Sequence, residues 1–280
     1  MGVLLIAACV PSISTPTPEG PATLAPSPTV LPFLPTEDST NALGRSNPTS
    51  AALPAEGELD TAGLFTPTLL EPTAQHIPLQ FFAEDGTILS VSFYGAAIRP
   101  APMILLLHDI DQDQDAWGIY APQLQALGYN VYLMNLRDRR KNAFEVNWAL
   151  VISDVRLVIQ NLLNSNTINN GQVAIVGLGT GANVAIFACA QMPSCTQTVA
   201  ISPRPNLPEL DFTAIASSYA QSGRRLSVFS ADDDPEGTTA ATDLNNIING
   251  IIWQRYSSGG RGSELLRNQP DAFNQLLAGF

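Results

Sequence analysis

The possible fold of this chain is constrained most by a glycine-rich turn that lies between two apolar runs. Residues 173–178 are mostly aliphatic, which predicts a buried strand. Gly177, Gly179 and Gly181 follow at alternate positions, and residues 182–186 are again mostly small and apolar. Glycine allows the backbone conformations that a sharp bend requires. The segment is therefore interpreted as a strand, a tight turn and a helix.

The chain beyond residue 74 alternates between predicted strands and helices. Residues 77–95 contain two apolar runs around Glu84-Asp85-Gly86, which predicts a leading antiparallel hairpin. Alternation of this kind builds a mostly parallel, doubly wound α/β sheet of about eight strands with helices on both faces. The other predicted strands cover residues 103–107, 130–137, 198–202, 226–230 and 251–256, and the helices cover 117–128, 144–163, 212–222, 238–249 and 263–277.

The glycine turn resembles the G-x-S-x-G nucleophile elbow of the α/β-hydrolase superfamily. In that elbow a strained turn holds a catalytic serine above the sheet. The buried run that ends at His108 is similar to the family strand that closes with His-Gly. Only about twenty residues separate Ser202 from Arg225, too few for a lid domain, so the resemblance is to lidless esterases of the dienelactone-hydrolase type. It implies the α/β-hydrolase fold for residues 74–280.

The resemblance also implies three triad positions, two of which have lost their chemistry. Gly179 stands at the nucleophile position and has no side chain. Arg261 stands at the base position within a glycine-rich run, and a guanidinium cannot accept a proton at physiological pH. Asp234 matches the acid. The sequence therefore predicts a vestigial triad and a pseudoenzyme.

We expect the charged groups around this vestigial site to block access to it. Arg261 and Asp234 are expected to form a charge-assisted pair. The vestigial oxyanion hole is assigned to the N–H of Thr180 and to an N–H after His108, where Asp109 replaces the family's glycine. A carboxylate has the wrong sign beside a developing oxyanion. Thr180 is not expected to replace the nucleophile, because this position directs its side chain elsewhere.

These residues predict a binding or structural module without a cofactor. The sequence does not identify its ligand, which could be a small molecule or a protein. One alternative is a weak esterase or peptidase with a non-standard site. A second alternative is a dinucleotide-binding protein, because Gly177-x-Gly179-x-x-Ala182 follows a strand. Dinucleotide-binding proteins have an acidic residue at the end of the next strand, where it binds a ribose hydroxyl. Here the corresponding residues are Ser202 and Arg204, and neither is acidic.

Acidic residues alternate in the loop after the first parallel strand. Carboxylate oxygens are the ligands that Ca²⁺ prefers, and the loops after parallel strands share one rim of the sheet, so residues 232–234 could join them. A solvated acidic loop is the favoured interpretation, and no metal site is expected. The weak candidate ligands are Asp109, Asp111, Asp113 and Asp115.

The N-terminus predicts export. Residues 3–9 resemble the lipobox of bacterial lipoproteins, in which Cys9 would carry the lipid, although a chance cysteine in an apolar N-terminus is the alternative. Residues 1–9 are thus interpreted as a truncated lipoprotein signal. Residues 10–73 are rich in Pro, Thr, Ser and Ala, which predicts a disordered tether. The expected location is extracytoplasmic, at a bacterial cell surface.

Charge and cysteines agree with this location. The net charge of −12 disfavours nucleic acid and anionic membranes as partners, so membrane contact is expected only through the lipid anchor. Cys189 and Cys195 flank the predicted end of the helix after the elbow. In an oxidising compartment they could form a disulfide, and two inert buried thiols are the alternative.

Overall fold

A computed structural model describes residues 76–165 and 168–278 of the chain. Cys9 and the predicted tether lie outside the described residues, so both stay predictions. The described residues form a single eight-stranded sheet in the order β1-β2-β4-β3-β5-β6-β7-β8. The strands are β1 (Ile77–Phe82), β2 (Ile88–Tyr94), β3 (Ala101–Leu107), β4 (Asn130–Met134), β5 (Ile168–Leu178), β6 (Cys195–Ile201), β7 (Arg225–Ala231) and β8 (Ile252–Tyr256).

The first two strands form the predicted hairpin. β1 pairs antiparallel to β2, and Gly86 lies in the turn between them with a φ of 81°, which suits glycine. β2 is antiparallel to β4, and every other neighbouring pair is parallel. The prediction of a mostly parallel sheet with a leading antiparallel hairpin is confirmed.

The described region contains seven α-helices, of which five lie between strands and the last two follow β8. Two predicted boundaries differ from the structure for local reasons: Asn147 caps the helix that was expected to begin before it, and Pro270 divides the predicted last helix in two. The helices are α1 (Ala121–Ala126), α2 (Trp148–Leu163), α3 (Thr180–Ala190), α4 (Ala216–Ser222), α5 (Pro235–Ile247), α6 (Ser263–Asn268) and α7 (Pro270–Ala278).

Apolar layers cover both faces of the sheet. In β5, Ile175 packs into the layer that contains α2, α3 and α5, whereas Val176 faces the layer that contains α1, α6 and α7. This alternation follows from the two-residue period of a strand. Among the described residues, no helix has the length and hydropathy that a bilayer span requires.

The topology brings the predicted site residues to one edge of the sheet. β3, β5 and β7 run parallel, and their carboxyl ends precede Asp109, Gly179 and Asp234 respectively. Ligand and catalytic sites of open α/β sheets lie at this edge, because the loops that leave the strands converge there.

Candidate functional site

The glycine turn has the backbone of a nucleophile elbow without the nucleophile. Gly179 has φ 55° and ψ −120° and directly precedes α3, and its N–H donates to the carbonyl of Ile201 at 2.9 Å. A side chain at Gly181 is excluded, because its Cβ would lie 2.3 Å from the carbonyl oxygen of His108. The sharp turn therefore depends on glycines, as the sequence predicted, and nothing projects from its apex.

Asp109 follows β3 and directs its buried carboxylate at the start of α3. Its Oδ1 accepts hydrogen bonds from the Thr180 N–H at 3.0 Å, the Thr180 hydroxyl at 2.9 Å and the Ile110 N–H at 2.9 Å. Thr180 and the loop after His108 are the places to which the resemblance assigns the oxyanion hole. The N–H in the loop after His108 belongs to Ile110, and the Asp109 carboxylate accepts both this N–H and that of Thr180.

The same carboxylate fills the space in which a nucleophile would stand. A Cβ at Gly179 would lie 1.9 Å from Asp109 Oδ2 and 2.1 Å from its Cγ. These distances are far below van der Waals contact, so the observed position of Asp109 is compatible only with glycine at the elbow. The residue types at positions 109 and 179 are therefore sterically coupled.

Arg261 closes the site from the solvent side. Its guanidinium donates to Asp109 Oδ2 in an ion pair whose side chains are 30% exposed for Arg261 and 6% exposed for Asp109. The predicted pairing of Arg261 with Asp234 is wrong. The ion-pair partner that the structure gives Arg261 is Asp109, at the end of β3.

Asp234 is buried at the acid position, where it serves as a helix cap. Its Oδ1 accepts the Gly237 N–H at 3.2 Å and so caps α5. Within the described residues its Oδ2 has no hydrogen-bond partner. Burial raises the pKa of this carboxyl above its usual value.

The loop that carries Arg261 is fixed at several points. Asp233 accepts the N–H groups of Gly259 at 3.1 Å and Gly260 at 3.0 Å, and these donors lower the pKa of its carboxyl. The Gly262 N–H donates to the Ser202 hydroxyl at 2.9 Å. Asp233 was raised only as a weak cation ligand and Ser202 was not predicted as a site residue; the signal for both is their place directly after parallel strands.

His108 is a structural histidine. It is fully buried, its Nδ1–H donates to the carbonyl of Asp109 at 2.7 Å, and its Nε2 accepts the Leu136 N–H at 3.0 Å. Both ring nitrogens are occupied, and burial lowers the pKa of the imidazole. His108 is therefore held neutral and is not available as a base.

The acidic residues after β3 do not converge. Asp113 accepts the Asp115 N–H at 3.1 Å and lies 3.4 Å from Arg140, while Asp109 is occupied as described. Across the site, Asp232 pairs with Arg255. In the described part of the chain, no three His, Cys, Asp or Glu side chains group as a metal site.

The cleft beside Asp109 and Arg261 is small and charged. It has a volume of about 210 Å³, below the roughly 300–1,000 Å³ of typical ligand pockets. Larger surface depressions of about 510 and 500 Å³ flank the loop after β6, away from the elbow. The cleft is lined by Asp109, Asp111, Gln112, Arg261, Gly262, Ser263, Glu264 and Arg267.

The dinucleotide alternative does not fit this geometry. A pyrophosphate would need the N-terminus of α3, but Asp109 already accepts the Thr180 N–H there. The sheet order also differs from the 3-2-1-4-5-6 order of the dinucleotide-binding fold. The glycines of the fingerprint are explained by the close packing of the elbow instead.

A disulfide lies at the other end of α3. The structure joins Cys189 at the end of this helix to Cys195 at the start of β6, and both cysteines are buried. The Arg224 guanidinium donates to the carbonyls of Cys195 at 3.2 Å and Met192 at 3.1 Å. This cluster fixes the turn between α3 and β6 and is separate from the elbow.

No protein-family model matches the chain, and no curated protein matches it in sequence. Solved structures do match. A 2,6-dihydroxy-pseudo-oxynicotine hydrolase has a TM-score of 0.59 at 11% identity, covering 74% of this chain and 69% of its own. A Pyrococcus furiosus esterase has a TM-score of 0.56 at 13% identity, with coverages of 73% and 88%. A protein described as a dienelactone hydrolase from Klebsiella pneumoniae has a TM-score of 0.60 at 12% identity, with coverages of 73% and 98%.

These similarities agree with the strand order, the leading hairpin and the elbow backbone. Identities of 11–13% carry information about the fold and not about the activity. The described residues of this chain have the α/β-hydrolase fold.

Proposed function

We propose that this protein is a catalytically inactive α/β-hydrolase-fold module that binds a ligand or plays a structural role at a bacterial cell surface. The observation that carries the proposal is the Asp109 carboxylate, which accepts the Thr180 and Ile110 N–H groups and fills the space above Gly179. A substrate carbonyl would have to enter a hole that already holds a negative charge. Electrostatic stabilisation of an oxyanion is unavailable under these conditions.

The side chains around the elbow support the same proposal. The Thr180 hydroxyl donates to Asp109 and accepts the Ile110 N–H, so both of its functions are used. Ser202 is 1% exposed and is bonded to the Gly262 N–H. The chain has two histidines, of which His108 is buried with both nitrogens occupied, and His76 precedes β1. Neither is placed to activate a hydroxyl at this cleft.

The cellular part of the proposal depends on the N-terminal sequence. Cys9 in its lipobox-like setting would anchor the protein, and residues 10–73 would separate the domain from the membrane. About sixty residues in a polyproline-like conformation could span up to roughly 150 Å. The acidic net charge of −12 suits neither nucleic acid nor an anionic lipid surface as the direct partner.

Two measurements test the inactivity. The intact protein is incubated with a fluorophosphonate probe, and p-nitrophenyl acetate hydrolysis is followed beside an active esterase. We expect neither labelling nor turnover above a heat-treated sample. Stoichiometric labelling of any serine or threonine would overturn the proposal in favour of an esterase with a non-standard nucleophile.

A separate experiment tests the anchor. The gene is expressed in a bacterium fed an alkyne-labelled fatty acid, and the protein is recovered with its Cys9→Ala variant as the matched control. We expect fatty-acid label and membrane association in the natural sequence and neither in the variant. Equal labelling of both proteins, or of neither, contradicts lipidation at Cys9.

A further inference from the structure

The vestigial oxyanion hole keeps all of its donors. Asp109 receives the Thr180 N–H, the Thr180 hydroxyl and the Ile110 N–H on one oxygen, and the Arg261 guanidinium on the other. The donors come from α3, from the loop after β3 and from the glycine loop before α6, so they do not depend on one helix end. Donors that surround both oxygens in this way match the planar, two-oxygen shape of a carboxylate.

The backbone segments that carry Thr180 and Arg261 are fixed by contacts that do not involve the Asp109 side chain, whereas the Arg261 guanidinium itself is held by Asp109. The turn before Thr180 is held by the Gly179 N–H bond to Ile201, and the loop that carries Arg261 is held by Asp233 and Ser202. Removal of the Asp109 side chain would therefore leave a pre-formed group of donors. Rigid donors of this kind bind an anion with little reorganisation.

We infer that the end of β3 is a carboxylate-binding site that the protein occupies with its own Asp109, and that a small external carboxylate replaces this side chain in an Asp109→Gly variant. The inference rests on the proposed inactive site. Access is provided by the cleft of about 210 Å³, which is lined by Asp109 and Arg261 and opens to solvent. Acetate or formate fits this volume.

Charge favours entry only after the substitution. Asp111 and Glu264 also line the cleft, and with Asp109 they oppose Arg261 and Arg267. In the natural chain the cleft thus has three acidic and two basic side chains and repels an anion. Asp109→Gly leaves two of each and frees the Arg261 guanidinium, so a carboxylate gains a partner without a net repulsive field.

The test measures the melting temperature of the full chain in acetate, formate, phosphate and chloride at matched ionic strength. We expect acetate and formate to raise the Tm of Asp109→Gly saturably, by about 3–6 °C at ten times Kd. The natural protein and Asp109→Asn, whose amide oxygen still fills the hole, should respond to acetate no more than to chloride. Asp109→Gly/Arg261→Ala should lose the response.

Three outcomes would overturn the inference: an equal response to chloride, an equal response of Asp109→Asn, or no response of Asp109→Gly. If Asp109→Gly does not fold, hydrogen exchange in the natural protein decides. We then expect the Thr180 and Ile110 amides to exchange as slowly as those of the β3 core, with exchange rates that acetate does not change. Fast exchange of these two amides would contradict occupation of the hole by Asp109. The fluorophosphonate experiment tests the proposed inactivity separately, because it detects a nucleophile and not a bound carboxylate.

Discussion

The ends of β3 and β7 present two carboxylates with almost equal burial and opposite surroundings. Asp109 is 4% exposed and has partners on both oxygens, three donors on one and a guanidinium on the other. Asp234 is 5% exposed, accepts one N–H, and has an oxygen without a partner among the described residues. The two residues are almost equally buried, and they differ in their hydrogen-bond partners.

The two carboxylates differ in how far their burial is offset. Burying a carboxylate is costly unless donors replace its lost water, and at β3 they do so completely. At β7 the cost is only partly offset, which agrees with the raised pKa of Asp234. The β3 end therefore forms the closure of the site, and Asp234 remains at the acid position without a histidine to orient.

The largest expected effect is a gain of hydrolysis in Asp109→Gly/Gly179→Ser/Arg261→His. The first change removes the carboxylate that would lie 1.9 Å from a Cβ at Gly179, the second supplies a hydroxyl, and the third supplies a base, for which Asp234 is the expected orienting acid. General base catalysis contributes about 10²–10⁴-fold, so p-nitrophenyl acetate hydrolysis should rise at least about 100-fold over the natural protein.

Two variants sharpen this prediction. Gly179→Ser alone should be inactive and less stable, since its Cβ collides with Asp109. The triple variant with Asp234→Asn should lose most of the gain. If the single Gly179→Ser variant were as active as the triple variant, closure of the site by Asp109 would be disproved.

The second effect compares the two partners of the ion pair. Asp109→Ala leaves the Thr180 and Ile110 N–H groups and Arg261 without their acceptor in a buried setting, which should lower the free energy of unfolding by about 3–5 kcal/mol. Arg261→Ala should cost about 1 kcal/mol, because three donors remain on Asp109 and the arginine is 30% exposed. Urea denaturation measures both. Equal losses would mean that the ion pair, not the donor group, holds Asp109.

The fold was largely predictable from the sequence, because apolar runs of strand and helix length alternate from residue 77 onward. Two of the boundaries that differed depend on single residues, since Asn147 caps α2 and Pro270 begins α7 just after α6. These local signals are weaker than apolar periodicity, which extends over many residues. The glycine turn was predictable because only glycine tolerates the contacts at Gly181.

The partners within the site were not predictable. Arg261 and Asp234 are separated by a short stretch of sequence, and their family positions suggested a pair, but the direction of a long side chain depends on its loop. The sequence predicted only that the charge of Asp109 disfavours an oxyanion. Its role as the acceptor of the Thr180 and Ile110 N–H groups depends on where the loop after β3 meets α3. Such contacts between distant segments leave no periodic pattern in the sequence.

A third effect concerns the histidine that supports the β3 loop. Burial lowers the pKa of His108 below the value of about 6.5 expected in the unfolded chain. The unfolded chain therefore binds a proton first as the pH falls, so stability is full above about 6.5 and is lost below it, by at most about 1.4 kcal/mol per pH unit. Urea midpoints between pH 7.5 and 5.5 measure this slope, and His108→Gln should flatten it. An unchanged slope in the variant would assign the pH dependence to other groups.

The smallest effect belongs to the other carboxylate. Asp234→Asn keeps the oxygen that accepts the Gly237 N–H and removes a charge that burial disfavours more than the Gly237 N–H and the nearby Ser202 hydroxyl stabilise it. The cap and the lost charge should nearly cancel, so the free energy of unfolding at pH 7 should change by less than about 0.5 kcal/mol. Asp109→Asn is the matched control: it loses the charge that faces Arg261 and should cost clearly more. A loss at Asp234 as large as that at Asp109 would mean that the β7 end is as fully bonded as the β3 end, and the contrast between the two carboxylates would no longer explain how the site is closed.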